Sequence, residues 1–121
     1  MAKKILIIDD SREICELLEA MFAGSDFKVE FAYNGAEGLQ KLAVFKPHLV
    51  ILDVNMPMMD GFQFLEVMRC LPKFKETPVI MCTERQRVAD YEKAFQKDVV
   101  EYVHKPFSRE ALMKKVLEIL Q

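Results

Sequence analysis

Apolar and polar positions along the chain follow two alternating periods. Ile5-Leu6-Ile7-Ile8, Leu49-Val50-Ile51-Leu52 and Pro78-Val79-Ile80-Met81-Cys82 are unbroken apolar runs of strand length. Such runs predict strands buried on both faces, as in a parallel sheet. Val99 to Val103 is a fifth strand segment, and Phe27 to Ala32 sets Phe27, Val29 and Phe31 against Lys28 and Glu30. That strict alternation predicts a half-exposed edge strand.

Between the strands the period changes to that of a helix. Ser11 suits an N-cap, and Ile14, Leu17, Leu18, Met21 and Phe22 follow on one face until Gly24. Asn34-Gly35 opens a second helix with Ala36, Leu39, Leu42 and Ala43 inward, ended by Pro47. Phe62 to Cys70 forms a third, with Phe64, Leu65 and Met68 inward, and Leu71 to Thr77 is a loop. Arg85 to Lys97 is a weaker helix striped by Val88, Tyr91, Ala94 and Phe95. Ser108 caps the last, with Leu112, Met113, Val116, Ile119 and Leu120 inward and Lys114 and Lys115 toward water. Five strand–helix units with short connections predict an α/β fold, a doubly wound (βα)5 domain over residues 1–121. Its five-stranded parallel sheet takes the order 2-1-3-4-5.

Composition narrows the class. At 121 residues the chain is one domain with room for a core that needs no disulfide. Seventeen basic against nineteen acidic residues give a net charge of −2, which argues against direct nucleic-acid binding. Cys15, Cys70 and Cys82 are odd in number and lack metal-ligand spacing, so they read as buried, reduced thiols, suited to the cytoplasm. The N-terminal apolar run breaks at Asp9, too early for a signal peptide or a membrane span.

The chemistry sits where the strands end, which is where open parallel sheets bind ligands. The first strand delivers Asp9 and Asp10, the third Asp53, the fourth Thr83 and the fifth Lys105. Three clustered carboxylates repel unless a cation joins them. Acids without a His or thiolate cluster favour a hard, oxygen-loving ion, Mg²⁺. Three acids, one divalent ion and Lys105 sum to zero charge. A hydroxyl and an ammonium beside a metal-bound carboxylate suit the oxygens of a phosphoryl group, with Asp53 as nucleophile.

These residues, in Ile8-Asp9-Asp10-Ser11, Asp53-Val54-Asn55-Met56-Pro57-Met58-Met59-Asp60-Gly61, Pro78-Val79-Ile80 leading to Thr83, and Lys105-Pro106-Phe107, give the sequence its family likeness. Over nearly its whole length the chain resembles the receiver domain of bacterial two-component response regulators, whose fold is flavodoxin-like, and it would act as a stand-alone chemotaxis-type regulator, as a phosphorelay shuttle or as a piece of a longer protein. The resemblance implies a signalling switch rather than an enzyme. Asp53 would accept a phosphoryl group from the phosphohistidine of a sensor histidine kinase or phosphotransfer protein. Mg²⁺ would be held by Asp10, Asp53 and the Asn55 carbonyl, with Asp9 acting through water. Thr83 and Lys105 would bind phosphoryl oxygens, and Tyr102 would be the aromatic switch. The face built by the 85–97 helix, the fifth strand and the last helix would meet a downstream protein target or effector domain. A cis bond before Pro106 is also implied.

Two positions depart from that pattern. Asp98 stands where a Gly is usual, which costs little because Asp tolerates left-handed backbone. Glu84 replaces a small residue directly after Thr83 and is expected to gate access to the site. An aspartate-nucleophile phosphatase of the haloacid dehalogenase type would need a second acid at position 55, which is Asn55. A nucleotide or flavin binder would want a phosphate loop where Asp9-Asp10 stand. A degenerate docking module would lack an essential acid. His48 reads as solvated and His104 as pointing away from the site. The chain's many methionines read as core fillers, although Met56, Met58 and Met59 are candidates for partner contact.

Overall fold

The computed structural model describes residues 2–83, 101–105 and 107–121. Five parallel strands, β1 (Lys4–Ile8), β2 (Lys28–Ala32), β3 (Leu49–Asp53), β4 (Val79–Thr83) and β5 (Glu101–His104), lie in the order β2-β1-β3-β4-β5. This is the predicted flavodoxin-like order. Helices α1 (Arg12–Phe22), α2 (Gly35–Phe45), α3 (Gly61–Cys70) and a C-terminal helix (Arg109–Leu120) cover the sheet. The expected helix over 85–97 and the start of the fifth strand at Val99 lie outside the described residues, as do Glu84, Asp98 and Pro106.

Alternation along the strands separates two apolar layers. Leu6, Ile8, Val50, Leu52, Val79 and Met81 pack with Leu42, Phe64, Leu65 and Met68 of α2 and α3. Ile5, Ile7, Leu49, Ile51, Ile80 and Cys82 pack with Cys15, Leu18, Phe22, Leu112 and Val116 of α1 and the C-terminal helix. Nearly all these side chains are fully removed from water. At roughly 1.5–3 kcal/mol per buried aliphatic side chain, these layers are the main favourable term of the fold.

Side chains supply the helix starts. Ser11, Asn34 and Ser108 accept from the backbone N–H of Ile14, Glu37 and Ala111. Asp60 and Gln63 form a reciprocal capping box, so α3 begins at Gly61, one residue before the predicted Phe62. Gly38 brings α2 close to the sheet: a Cβ there would stand 2.8 Å from Ile8 and 2.9 Å from Phe64. The buried stripe of α2 therefore runs through Gly35, Gly38 and Leu42.

Several predicted orientations are corrected. Ala36 and Ala43 lie one residue off the α2 stripe and are exposed. Leu17 stands beside the Cys15–Leu18–Phe22 stripe of α1 and is 46% exposed. Cys70, at the last position of α3, is exposed, whereas Cys15 and Cys82 are buried as expected. Lys115 turns back to Glu101, 3.0 Å away, instead of facing water. His48 is exposed but not merely solvated. Its Nδ1 accepts the Lys4 N–H at 2.9 Å, and its own N–H donates to the Lys4 carbonyl at 2.8 Å, tying the start of β3 to β1. Among the described residues, no helix is long and apolar enough to cross a membrane.

Candidate functional site

The register of the sheet collects the candidate residues at one end. Ile8 pairs with Leu52, Asp53 with Cys82, and Thr83 with His104. The residues following these pairs therefore emerge together. Lys105 N–H donates to the Thr83 carbonyl at 2.8 Å, and Val54 N–H to the Cys82 carbonyl at 3.0 Å, so the exits stay aligned past the last sheet pairs.

Lys105 links the acids. Its Nζ stands 2.8 Å from Asp9 Oδ2 and 3.0 Å from Asp53 Oδ1. Asp9 Oδ1 also accepts the Ser11 N–H at 2.9 Å, which fixes the carboxylate across the turn into α1. Asp9 and Asp53 are 3% and 5% exposed, and Thr83 is fully buried. Asp10 is exposed and completes the group: one ligand oxygen from each of Asp9, Asp10 and Asp53 lies within 4.8 Å of the others.

Gly61 holds Asp53 from beneath. A Cβ at position 61 would collide with the Asp53 carbonyl oxygen and stand 2.9 Å from Val54 Cα. Its N–H donates to the Val54 carbonyl at 2.9 Å, so the start of α3 is pressed against the exit of β3. Met56 is buried and Met59 is half-buried against the α2–α3 layer, so both fill the core on that side. Met58 is fully exposed on a left-handed backbone, φ 70°.

The electrostatics follow from this crowding. Burial, then the Asp9 charge, pushes the Asp53 carboxyl up to about 6, against the pull of the Lys105 hydrogen bond. Burial alone would lower the Lys105 ammonium. Its hydrogen bonds to Asp9 and Asp53, and their charges, override that and hold it above the usual lysine range. Burial pushes the neighbouring Cys15 and Cys82 thiols up to about 12, so both are inert as nucleophiles.

Three carboxylates against one ammonium leave two uncompensated negative charges. An all-oxygen donor set of this kind fits a small divalent cation such as Mg²⁺. Tyr102 is half-buried and packs on the α2–α3 side of the sheet. It pairs in register with Met81, so it lies on the same face as Thr83. Asn55 is exposed beside the cluster, and His104 is half-buried on the strand face opposite Val103. Glu84 and the Lys105–Pro106 bond fall outside the described residues.

Sequence reasoning did not identify Gly61 or Ser11 as supports for the site. The Asp60-Gly61-Phe62-Gln63 string carries a capping-box signal for the first. Nothing in the sequence marks the second beyond its N-cap role.

The chain has relatives among known proteins. The family described as response regulator receiver domain matches residues 5–117. The chain is similar to the transcriptional regulatory protein YclJ of Bacillus subtilis, 31% identical over 118 residues, covering 98% of this chain and 51% of that protein. It is similar to protein PilG of Pseudomonas aeruginosa, 33% identical over 110 residues, covering 91% and 82%. The solved structure of the chemotaxis protein CheY4 of Vibrio cholerae superposes with a TM-score of 0.94 at 30% identity, covering 99% of this chain and all of that one. The chain spans about half the length of YclJ and of most of the other curated relatives it matches.

Proposed function

The chain belongs to the response regulator receiver domain family of two-component signalling, and from that premise we propose that Asp53 is its phosphoryl acceptor. The supporting observation is the Lys105 bridge between Asp9 and Asp53, with Asp10 within ligand distance of both. The donor is the phosphohistidine of a sensor kinase or phosphotransfer protein. An Asp53 oxygen attacks phosphorus, the P–N bond breaks, and the histidine leaves with the electron pair and takes a proton from water. Mg²⁺, held by Asp10, Asp53 and the Asn55 carbonyl with Asp9 acting through water, would neutralise charge on the transferring group. Lys105 is already ordered by two carboxylates and can keep its ammonium on a phosphoryl oxygen without crossing a large distance. Thr83, at the adjacent strand end, supplies a hydroxyl.

The output is a change in binding surface. Movement of Thr83 toward the phosphoryl group frees space on the face it shares with Tyr102, and Tyr102 turns inward. The surface that responds is the one around β5 and the C-terminal helix, which meets the downstream target. In this reading residues 1–121 form one receiver unit of the cytoplasm that catalyses only its own phosphorylation and dephosphorylation.

Incubation with acetyl phosphate and Mg²⁺ tests the assignment. One base-labile phosphoryl group should appear on Asp53, and Asp53→Asn should abolish it. Undiminished labelling of the variant at another residue would refute it.

A further inference from the structure

β2 is the outer strand of the sheet, paired only with β1. The Lys28 N–H donates to the Lys3 carbonyl and the Ala32 carbonyl accepts from Asp9, so residues 28, 30 and 32 turn their peptide groups toward β1. Residues 27, 29, 31 and 33 turn theirs outward. The two ends of this outer edge are closed by side chains. Phe27 N–H donates to Ser25 Oγ at 3.3 Å, and Tyr33 N–H to Glu37 Oε1 at 3.0 Å. Between them the outward Val29 and Phe31 peptide groups have no hydrogen-bond partner among the described residues.

That open segment is the floor of a slot of about 520 Å³, walled by Glu19 of α1 and by Glu37, Gln40 and Lys41 of α2. A contiguous recess of about 220 Å³ runs on along α2 to Val44, an apolar side chain 85% exposed. The walls are acidic: Glu19, Glu30 and Glu37 face one cation, Lys41, which lies 3.4 Å from Glu30.

We propose that this edge of β2 is a docking slot for an extended, cationic segment of a partner protein, held by strand addition. Unpaired strand edges are templates for backbone pairing, and pockets beside them select alternate side chains. Here the floor offers the donors and acceptors of Val29 and Phe31. Glu19, Glu30 and Glu37 select basic side chains, and Val44 selects an apolar one. A second copy of this chain is a poorer occupant, because it would bring the same acidic walls against these. The slot lies on β2, two strands away from the Asp53 strand end, so the proposal stands independently of the phosphoryl chemistry.

The test uses the isotope-labelled full chain and a short end-blocked peptide alternating lysine and valine. The peptide should bind saturably and slow amide exchange at Val29 and Phe31 by about tenfold or more, with Lys28 and Glu30 unchanged. Full N-methylation of its backbone should abolish binding, as should replacement of its lysines by glutamates. Glu30→Lys, an exposed change, should weaken it by about tenfold or more. Equal binding of the N-methylated peptide would show charge attraction alone and overturn the proposal. Protection confined to residues 101–104, or a dimer of the free chain that Glu30→Lys dissolves, would overturn it as well.

Discussion

Asp53→Asn should stabilise the metal-free protein, and the gain should depend on pH in a defined way. The Asp53 carboxyl is pushed from 3.8 in the unfolded reference to about 6 in the fold. Below about pH 4 the group is protonated in both states and contributes nothing. Between about 4 and 6 the folded chain holds a proton that the unfolded chain has released, so stability falls as pH rises. Above about 6 the penalty is complete. Two units at 1.36 kcal/mol each give about 3 kcal/mol. Burial supplies the largest part of this penalty and the Asp9 charge the next. Solvent at the mouth of the site screens part of this, leaving ~1.5–3 kcal/mol at pH 7. The Asn amide oxygen can still accept from Lys105, so the gain is not offset by a lost hydrogen bond. At roughly 4 °C per kcal/mol the melting temperature should rise by ~6–12 °C in EDTA. Urea unfolding of both proteins from pH 3.5 to 8 isolates Asp53 by difference, since every other carboxylate is common to the two. A difference that is flat with pH, or a variant less stable than wild type at pH 7, would refute the electrostatic account of the site.

Mg²⁺ should stabilise wild type by ~1.4 kcal/mol at tenfold excess over its dissociation constant, and Asp10→Asn by distinctly less, in thermal melts. Gly61→Ala should cost ~2–3 kcal/mol in urea unfolding and slow acetyl phosphate labelling, because the new methyl displaces the Asp53 carbonyl. Lys105→Met should cost ~3 kcal/mol by leaving Asp9 and Asp53 buried without a cation, and added Mg²⁺ should recover part of the loss in the same assay. If Glu84 gates the site as its place directly after Thr83 in the sequence leads one to expect, Glu84→Ala should raise the rates of phosphorylation by small donors and of phosphoryl decay by ~3- to 10-fold in stopped flow; agreement within about twofold would exclude a gate.

The sheet was legible because its three central strands, β1, β3 and β4, are apolar on both faces, a pattern few other structures produce. The acidic cluster was legible for a related reason: a charge that ends such a run can lie only at the sheet's edge. The helices were less so. A stripe of apolar residues fixes a helix's buried face to within about one position in each direction, and packing decides the rest. On α2 glycine, not alanine, marks the contact, since Gly38 lets the helix approach Ile8 and Phe64. On α1 Cys15 takes the place that Leu17 was expected to fill. His48 was misread because its partners, the backbone groups of Lys4, lie 44 residues away.

Gly61 shows why supports are harder to read than ligands. A carboxylate announces its chemistry by residue type, whereas a glycine under it matters only through the carbonyl it avoids. The same division explains how the fold can carry its site. Asp9, Asp10 and Asp53 repel one another, and Lys105 removes only part of that repulsion. The cost, a few kcal/mol, is of the order of a domain's whole net stability. It is tolerable because the opposing apolar layers hold the strand ends from beneath, with Leu52 fully buried next to Asp53 and Ile8 next to Asp9. Residual repulsion at a rigid position is also what gives a divalent cation or a phosphoryl group something to relieve. A chain that neutralised its acids internally would be more stable and would respond less to either.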